Sequence, residues 1–254
     1  QMKVADRLVF HKIRARTGGR VRYFVSGGAP LSREIGEFFY AMGMLILEGY
    51  GLTETAPLLT INRSRTEWDD LEPLERAKRL SRAGVPAVGV RMRVDEEGEV
   101  QARSNVVLDG YWEQPEETAT ALEGGWFHTG DGGVIDDEGY VVISDRKKDV
   151  IISGGENVSS IEVEDALMAH PAVKEAAVIG TPDEKWGELV TALVVVEGDV
   201  SADDLVAHCR TQLAGYKIPR RVEFRDELAR TATGKLQKFK LREPFWKGHE
   251  RQVN

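Results

Sequence analysis

Glu48-Gly49-Tyr50-Gly51-Leu52-Thr53-Glu54 decides how this chain reads. Leu45-Ile46-Leu47 before it is an apolar run of strand character, and glycines open the backbone where that run ends. Upstream, Val21-Arg22-Tyr23-Phe24-Val25 reads as a buried strand running into Ser26-Gly27-Gly28-Ala29-Pro30. Two strands that both end in glycines let a flat ligand approach the main chain at the strand ends. Tyr50 offers a ring face to a base, Thr53 a hydroxyl to a phosphate oxygen, and Glu54 a hard carboxylate oxygen to Mg²⁺. A glycine-rich turn with a surface Thr-Glu pair explains the same seven residues, so the stretch alone does not choose.

Outward from this centre, residues 4–16 read as a helix with Val4, Leu8 and Phe10-His11 facing inward, ended by Gly18-Gly19. Ser32 is placed to cap a second helix. Its Ile35, Phe38, Phe39 and Met42 recur at helical spacing and should face a core, with Gly43 closing it. Strand and helix alternate here as in an α/β layered domain. Residues 62–82 are polar and charged and read as an exposed loop with a short helix over 73–80. Val88, Val90, Met92 and Val94 then alternate, Asp95-Glu96-Glu97-Gly98 turns, and Glu99-Val100-Gln101-Ala102-Arg103 returns, which predicts a small antiparallel unit. A short helix starts at Gln114-Pro115, and residues 140–143 read as a strand. Beyond residue 148, strands are expected at 150–152, 173–179, 189–196 and 222–224. A capping box Ser159-x-x-Glu162 opens one helix there. A second covers 201–213 with Leu205, Cys209 and Leu213 on one face, and a third follows Lys235.

Three further stretches carry chemistry. They are Phe127-His128-Thr129-Gly130-Asp131; Ser144-Asp145-Arg146-Lys147-Lys148-Asp149 followed by Ser153-Gly154-Gly155-Glu156-Asn157; and Arg230-Thr231-Ala232-Thr233-Gly234-Lys235. With the first stretch they stand in the order found in adenylate-forming enzymes. From about residue 21 to about residue 241 the chain resembles the acyl-CoA synthetase branch of that superfamily, whose relatives include luciferases and the adenylation domains of peptide synthetases. Gly98-Glu99-Val100 and Gly110-Tyr111-Trp112 match the family's distorted β-barrel, although the hairpin is shorter than usual. The expected fold is therefore mixed α/β and α+β. A partial α/β layered domain and a small β-barrel unit precede a compact α+β C-terminal domain. Residues 1–147 would be the C-terminal part of the large AMP-binding domain, and 148–254 the small mobile domain.

The resemblance implies a two-step reaction. A carboxylate, here a medium- or long-chain fatty acid, attacks the α-phosphate of ATP, and CoA then displaces AMP from the acyl-adenylate. It assigns Lys235 to bridge carboxylate and phosphate, Asp131 to the ribose hydroxyls, and Arg146 to ribose and phosphate. Thr53 and Glu54 serve phosphate and Mg²⁺, while Gly27, Gly28, Ala29, Tyr50 and Gly51 line the adenine. Lys148 matches the hinge about which the small domain rotates, bringing Gly154-Gly155 to the thiol tunnel, and Trp186 matches a residue near the pantetheine arm. Each has a plainer reading: a surface lysine, a turn aspartate, a packed tryptophan, or an Arg146 salt bridge with Asp145 or Asp149. His128 reads as structural, since the attacking carboxylate is already ionised. His170 and His208 fall on helices and form no metal set with the lone cysteine.

Composition bounds the rest. The chain has 254 residues, 41% hydrophobic and 30% charged, with a formal charge of -8 that argues against general nucleic-acid binding. Residues 216–247 hold ten Lys/Arg against four acids, which suits a phosphate-bearing ligand. A single cysteine, Cys209, excludes an internal disulfide and points to a reducing compartment. No run approaches the roughly 20 apolar residues of a membrane span. The expected compartment is the cytoplasm, with peripheral attachment to a membrane open for a long-chain substrate. The family's glycine-rich phosphate loop, which lies upstream of the first motif, is not in this sequence, and the chain starts Gln1-Met2-Lys3. We expect a portion of a longer enzyme, its truncated sheet edges available to a homo-oligomer or to the missing N-terminal half. Two alternatives stay open: an acyl-AMP ligase that delivers to a carrier protein, and a non-catalytic nucleotide-binding fragment.

Overall fold

The computed structural model describes residues 5–249 apart from Pro30, Ser32 and Thr233. The expectations for Val4 and for the Ser32 cap lie outside the described residues. Two compact units form: Gln1–Thr129 with Gly133–Ile143, and Gly130–Gly132 with Ser144–Asn254.

In the first unit a wide helical turn, Asp6–Phe10, leads into α1 (His11–Arg16). There follow β1 (Phe24–Gly27), α2 (Arg33–Ala41), β2 (Ile46–Tyr50), β3 (Thr60–Ile61), α3 (Pro73–Leu80) and β4 (Val85–Pro86). The four strands form one sheet in chain order. β1 and β2 are parallel, with Gly27 opposite Gly49; β3 and β4 continue antiparallel. Proline at the first turn of α3 costs no hydrogen bond, which is why residues 73–80 were readable as a helix. A second sheet runs β5 (Arg91–Val94), β6 (Glu99–Arg103), β7 (Phe127–Ile135), β8 (Val141–Arg146), with α4 (Pro115–Ala121) between β6 and β7.

Several sequence expectations do not hold in the structure. β1 starts at Phe24 and is not buried: Val21, Tyr23 and Val25 are each about half exposed. Among the described residues β1 is the edge of its sheet, with a neighbouring strand on one side only. Of the α2 set, Met42 is buried and Phe39 half-buried, while Ile35 and Phe38 are exposed, as is Leu8 upstream. Val88 is 99% exposed and outside β5, because Gly89 at φ +82° breaks the extension.

The second unit contains β9 (Ile151–Ser153), β10 (Glu156–Val158), α5 (Ser160–Met168), β11 (Val173–Asp183) and β12 (Gly187–Val196). It closes with α6 (Ala202–Arg210), β13 (Arg221–Phe224) and α7 (Lys238–Trp246). The sheet order is β10-β9-β12-β11, with β13 parallel to β12. Its two longest strands, β11 and β12, are covered on both faces. Val178, Val190, Ala192 and Val194 pack with Val163, Leu167, Leu205 and Cys209 of α5 and α6. The alternate residues Ala177, Ile179 and Leu193 pack with Leu228 and with Leu241 and Phe245 of α7. Strands buried on both faces read as continuous apolar runs. Each Val, Leu or Ile taken fully from water contributes about 1.5–3 kcal/mol.

Ser159 caps α5 by accepting from the Glu162 amide at 3.3 Å, but the Glu162 carboxylate is held by Lys217 at 2.6 Å. The reciprocal capping box stands instead at α6, between Ser201 and Asp204. Among the described residues no helix is long and apolar enough to cross a membrane.

Candidate functional site

The parallel ends of β1 and β2 set Gly27 opposite Gly49, with Gly28-Ala29 and Tyr50-Gly51 next along the two chains. A Cβ on Gly27 would come within 3.0 Å of the Gly49 carbonyl oxygen. Gly28 has φ +85° and open space where a Cβ would point, so a ligand can reach its main chain. Gly51 is glycine for packing: a Cβ there would fall 1.9 Å from the Pro57 carbonyl oxygen. Thr53–Thr55 is a single tight turn, closed by the Leu52 amide donating to Thr55 Oγ1 at 2.9 Å. Thr53 is exposed and Glu54 half-buried. The Tyr111 hydroxyl donates to Glu54 Oε1 at 3.1 Å, and the Leu108 amide donates to the Glu54 carbonyl at 2.8 Å. Burial, and then the Glu54 charge, raise the Tyr111 phenol above its ordinary pKa. A carboxylate oriented by one phenol keeps oxygen lone pairs for a divalent cation, so the residues fit Mg²⁺.

In the second unit, three sequence-distant residues share one neighbourhood. Asp131, on β7, is 5% exposed. Arg146, at the end of β8, brings its Nε to 3.4 Å from Asp131 Oδ1. The alternative partners for Arg146, Asp145 and Asp149, are engaged elsewhere: Asp145 with Ser160 and Asp149 with Arg242. Lys235 leaves a turn closed by three hydrogen bonds: Thr231 N to Lys235 O at 2.8 Å, Gly234 N to Thr231 O at 2.9 Å, and Lys235 N to Thr231 Oγ1 at 3.0 Å. Its ammonium is held below the usual lysine pKa, first by desolvation and then by the charges of Arg146 and Lys148, against Asp131 and Asp149. Lys148 lies in the turn Lys147–Asp149, where its carbonyl accepts from Arg242 Nη1 at 2.9 Å.

Gly154 and Gly155 form the turn between β9 and β10 at φ +62° and +85°. The Trp186 ring packs on Gly154, where a Cβ would sit 2.7 Å from a ring carbon, and the Gly154 amide donates to the Trp186 carbonyl at 2.8 Å. Gly155 has open space beside it.

Some residues of these neighbourhoods escaped the sequence reading. Tyr111 was read as part of a barrel motif, with no hint of Glu54. The Arg220 guanidinium lies 3.9 Å from the Trp186 ring centroid, a cation–π contact across more than 30 residues. β7 itself was not foreseen, since Gly130, Gly132 and Gly133 interrupt its apolar alternation. His128 Nδ1 lies 3.2 Å from Glu99 Oε2, and with Asp95 these groups come within 4.8 Å of one another. Gln101 Nε2 donates to Asp95 Oδ2 at 2.8 Å, and Asp95 Oδ1 accepts from the Glu97 and Glu99 amides, so protein donors hold this cluster. His170 lies just past the end of α5, edge-on to His208 at 5.0 Å. A separate cavity of about 360 Å³, lined by Leu31, Tyr40, Ile46, Glu48, Arg76 and Ala77 among others, contains none of the expected nucleotide residues.

The AMP-binding enzyme family model matches residues 3–112, and the model of the AMP-binding enzyme C-terminal domain matches 162–235. The long-chain-fatty-acid–CoA ligase FadD13 of Mycobacterium tuberculosis is 43% identical over 225 residues, which are 88% of this chain and 45% of that protein. Feruloyl-CoA synthase of an Amycolatopsis species is 40% identical over 238 residues, 89% of this chain and 46% of that protein. The solved o-succinylbenzoate CoA synthetase of Bacillus subtilis, in complex with its acyl-adenylate intermediate, superposes with a TM-score of 0.78 at 32% identity, over 91% of this chain and 49% of that one. The chain thus spans about half the length of the relatives it matches, and the acids they are named for differ. By these matches the chain belongs to the AMP-binding enzymes, within the adenylate-forming acyl-CoA ligase family.

Proposed function

We propose that the protein carrying this chain activates a carboxylic acid with ATP and transfers the acyl group to CoA, releasing AMP and pyrophosphate. The observation that carries this reading is the Asp131–Arg146 pair, whose charges act on the Lys235 ammonium. A carboxylate approaching an α-phosphate brings like charges together, so the barrier falls when fixed cations face the developing charge. Lys235 supplies a compact ammonium and Arg146 a planar set of donors. Asp131 accepts from the ribose hydroxyls and orients the nucleotide. The acyl oxygen bonds to the α-phosphorus as pyrophosphate leaves. The thiol of CoA then adds to the acyl carbonyl, AMP departs with the bonding pair, and the thiol proton passes to solvent. Gly27, Gly28, Ala29, Tyr50 and Gly51 serve the adenine, and Thr53 a phosphate oxygen. Mg²⁺, held by Glu54, would neutralise charge on the phosphates. The open main chain at Gly155 and the Trp186 ring on Gly154 suit the arm of CoA.

For the acid we favour a medium- or long-chain fatty acid. The support is the 43% identity to FadD13, set against the aromatic acids named in other relatives. The test is product analysis on the full-length protein with ATP, CoA and a panel of fatty and aryl acids. AMP and a fatty acyl-CoA are expected. Release of ADP, or acyl transfer to a carrier protein but not to CoA, contradicts the reading; preference for an aryl acid contradicts only its substrate part.

A further inference from the structure

α7 begins three residues after Lys235, and one face of it is fixed by polar contacts at every fourth residue. Lys238 Nζ lies 2.7 Å from Glu164 Oε1 and donates to Ser160 Oγ at 2.6 Å. Arg242 Nη1 donates to the Lys148 carbonyl at 2.9 Å and to Asp149 Oδ1 at 3.0 Å. Trp246 Nε1 donates to the Gly180 carbonyl at 2.9 Å. Residues spaced by four lie above one another on a helix, so these contacts resist both sliding and rotation of α7.

The Lys238 contact extends further. Ser160 is fully buried, and its hydroxyl and amide donate to Asp145 Oδ2 at 2.7 and 2.5 Å. Asp145 is 2% exposed, and its Oδ1 accepts from the Arg146 amide at 2.8 Å. A continuous chain therefore runs from the main chain of Arg146 through Asp145, Ser160 and Lys238 to the helix that follows Lys235. Glu164 closes it, also accepting from the Val178 amide at 2.7 Å. The side chains of Lys238 and Glu164 are 12% and 14% exposed. An ion pair so buried adds little net stability over an apolar pair of the same shape, but it fixes geometry.

We infer that Lys238, acting through Ser160 and Asp145, is a positioning residue that sets the spacing between Arg146 and Lys235 for the acid-activation half-reaction. The inference rests on the proposed roles of those two cations. Misplacing a reacting group by about 1 Å costs on the order of a hundredfold in rate. The acyl transfer to CoA makes no use of the Lys235 ammonium in this account and should be spared.

The experiment measures both half-reactions on the full-length protein: acid-dependent ATP–pyrophosphate exchange, and thioester formation from preformed acyl-adenylate and CoA. Lys238→Met should lower the kcat of exchange by about 10–100-fold and leave thioester formation within about threefold, and Lys238→Arg should recover most of the loss. Ser160→Ala, which removes only the bridging oxygen, should give a smaller loss of the same kind and serves if Lys238→Met fails to fold. Equal losses in both half-reactions, or no loss in either, would overturn the inference. A wild-type protein with no exchange on any acid would instead overturn the reaction proposed above. In that event NMR titration of the lysines still decides on Lys238. Its loss should return the Lys235 pKa toward the ordinary value, and an unchanged titration of Lys235 in Lys238→Met overturns the inference.

Discussion

Arg146 Nε stands 3.4 Å from Asp131 Oδ1, joining the end of β8 to the middle of β7. The arginine side chain is 40% exposed, and an ion pair so open to water contributes about 0–1 kcal/mol to stability. What the pair supplies is an acceptor and a set of donors held side by side. Arg146→Met should therefore change the unfolding free energy by less than about 1 kcal/mol yet weaken acyl-adenylate binding by about tenfold or more. Denaturant unfolding and calorimetric titration check the two halves of this expectation. Loss of stability with intact binding would make Arg146 a structural residue.

The Lys235 ammonium is depressed by desolvation first and by Arg146 second. In the folded state it therefore gives up its proton at lower pH than in the unfolded chain. Between its folded pKa and the ordinary value of about 10.5 the unfolded chain binds more protons, so this contribution to stability improves as pH rises through that window. For the proposed activity the sign is the opposite, since Lys235 would act there in its charged form. The alkaline limb of kcat/KM should lie below the ordinary lysine pKa. NMR of labelled lysine should show the Lys235 titration moving up in Arg146→Met. A Lys235 that titrates as an ordinary exposed lysine contradicts the geometry.

Glu48 is 7% exposed, and burial pushes its carboxyl up to about 7, against the Leu31 amide that donates to it at 2.8 Å. The folded state keeps a proton that the unfolded chain loses between about pH 4.5 and 7, so stability falls as pH rises through that window. Glu48→Gln keeps an acceptor for Leu31 without the charge. It should match the wild type at pH 4 and exceed it by about 3 kcal/mol at pH 8. Urea unfolding at the two values measures this, and a difference independent of pH contradicts it.

How much of this was legible in advance varies with the kind of contact. Residues 73–80 and the turn at 95–98 could be read because proline, glycine and a two-residue alternation act locally. The Glu48 to Glu54 stretch does meet a strand end, but the strand runs on past Leu47 through Gly49 to Tyr50, since its pairing with β1 and β3 carries it beyond the apolar run. Burial of β1 was misjudged because the apolar pattern does not reveal that a strand will lie at an edge. The Arg146–Asp131 pair was not derivable, since Asp145 and Asp149 are nearer in sequence and only the folded chain engages them with Ser160 and Arg242. The Tyr111–Glu54 bond and the Asp145–Ser160–Lys238 chain depend likewise on tertiary placement, which no local pattern encodes.

Gly154 has φ +62° and lies under the Trp186 ring. Gly154→Ala should cost about 1–3 kcal/mol through backbone strain and overlap with the ring. In a Trp186→Leu background the cost should fall to the backbone part alone, about 1–2 kcal/mol. A thermodynamic cycle from denaturant unfolding separates the two parts. Equal costs in both backgrounds would mean that the ring does not rest on this glycine.

Asp131, Arg146 and Lys235 are proposed as the adenylate site. The most direct test is calorimetric titration of the full-length protein with a non-hydrolysable acyl-AMP mimic, repeated with Asp131→Ala. Loss of an acceptor for two ribose hydroxyls should weaken binding by about a hundredfold, with the fold unchanged by circular dichroism. Equal affinity in wild type and variant would place the nucleotide elsewhere and contradict the account.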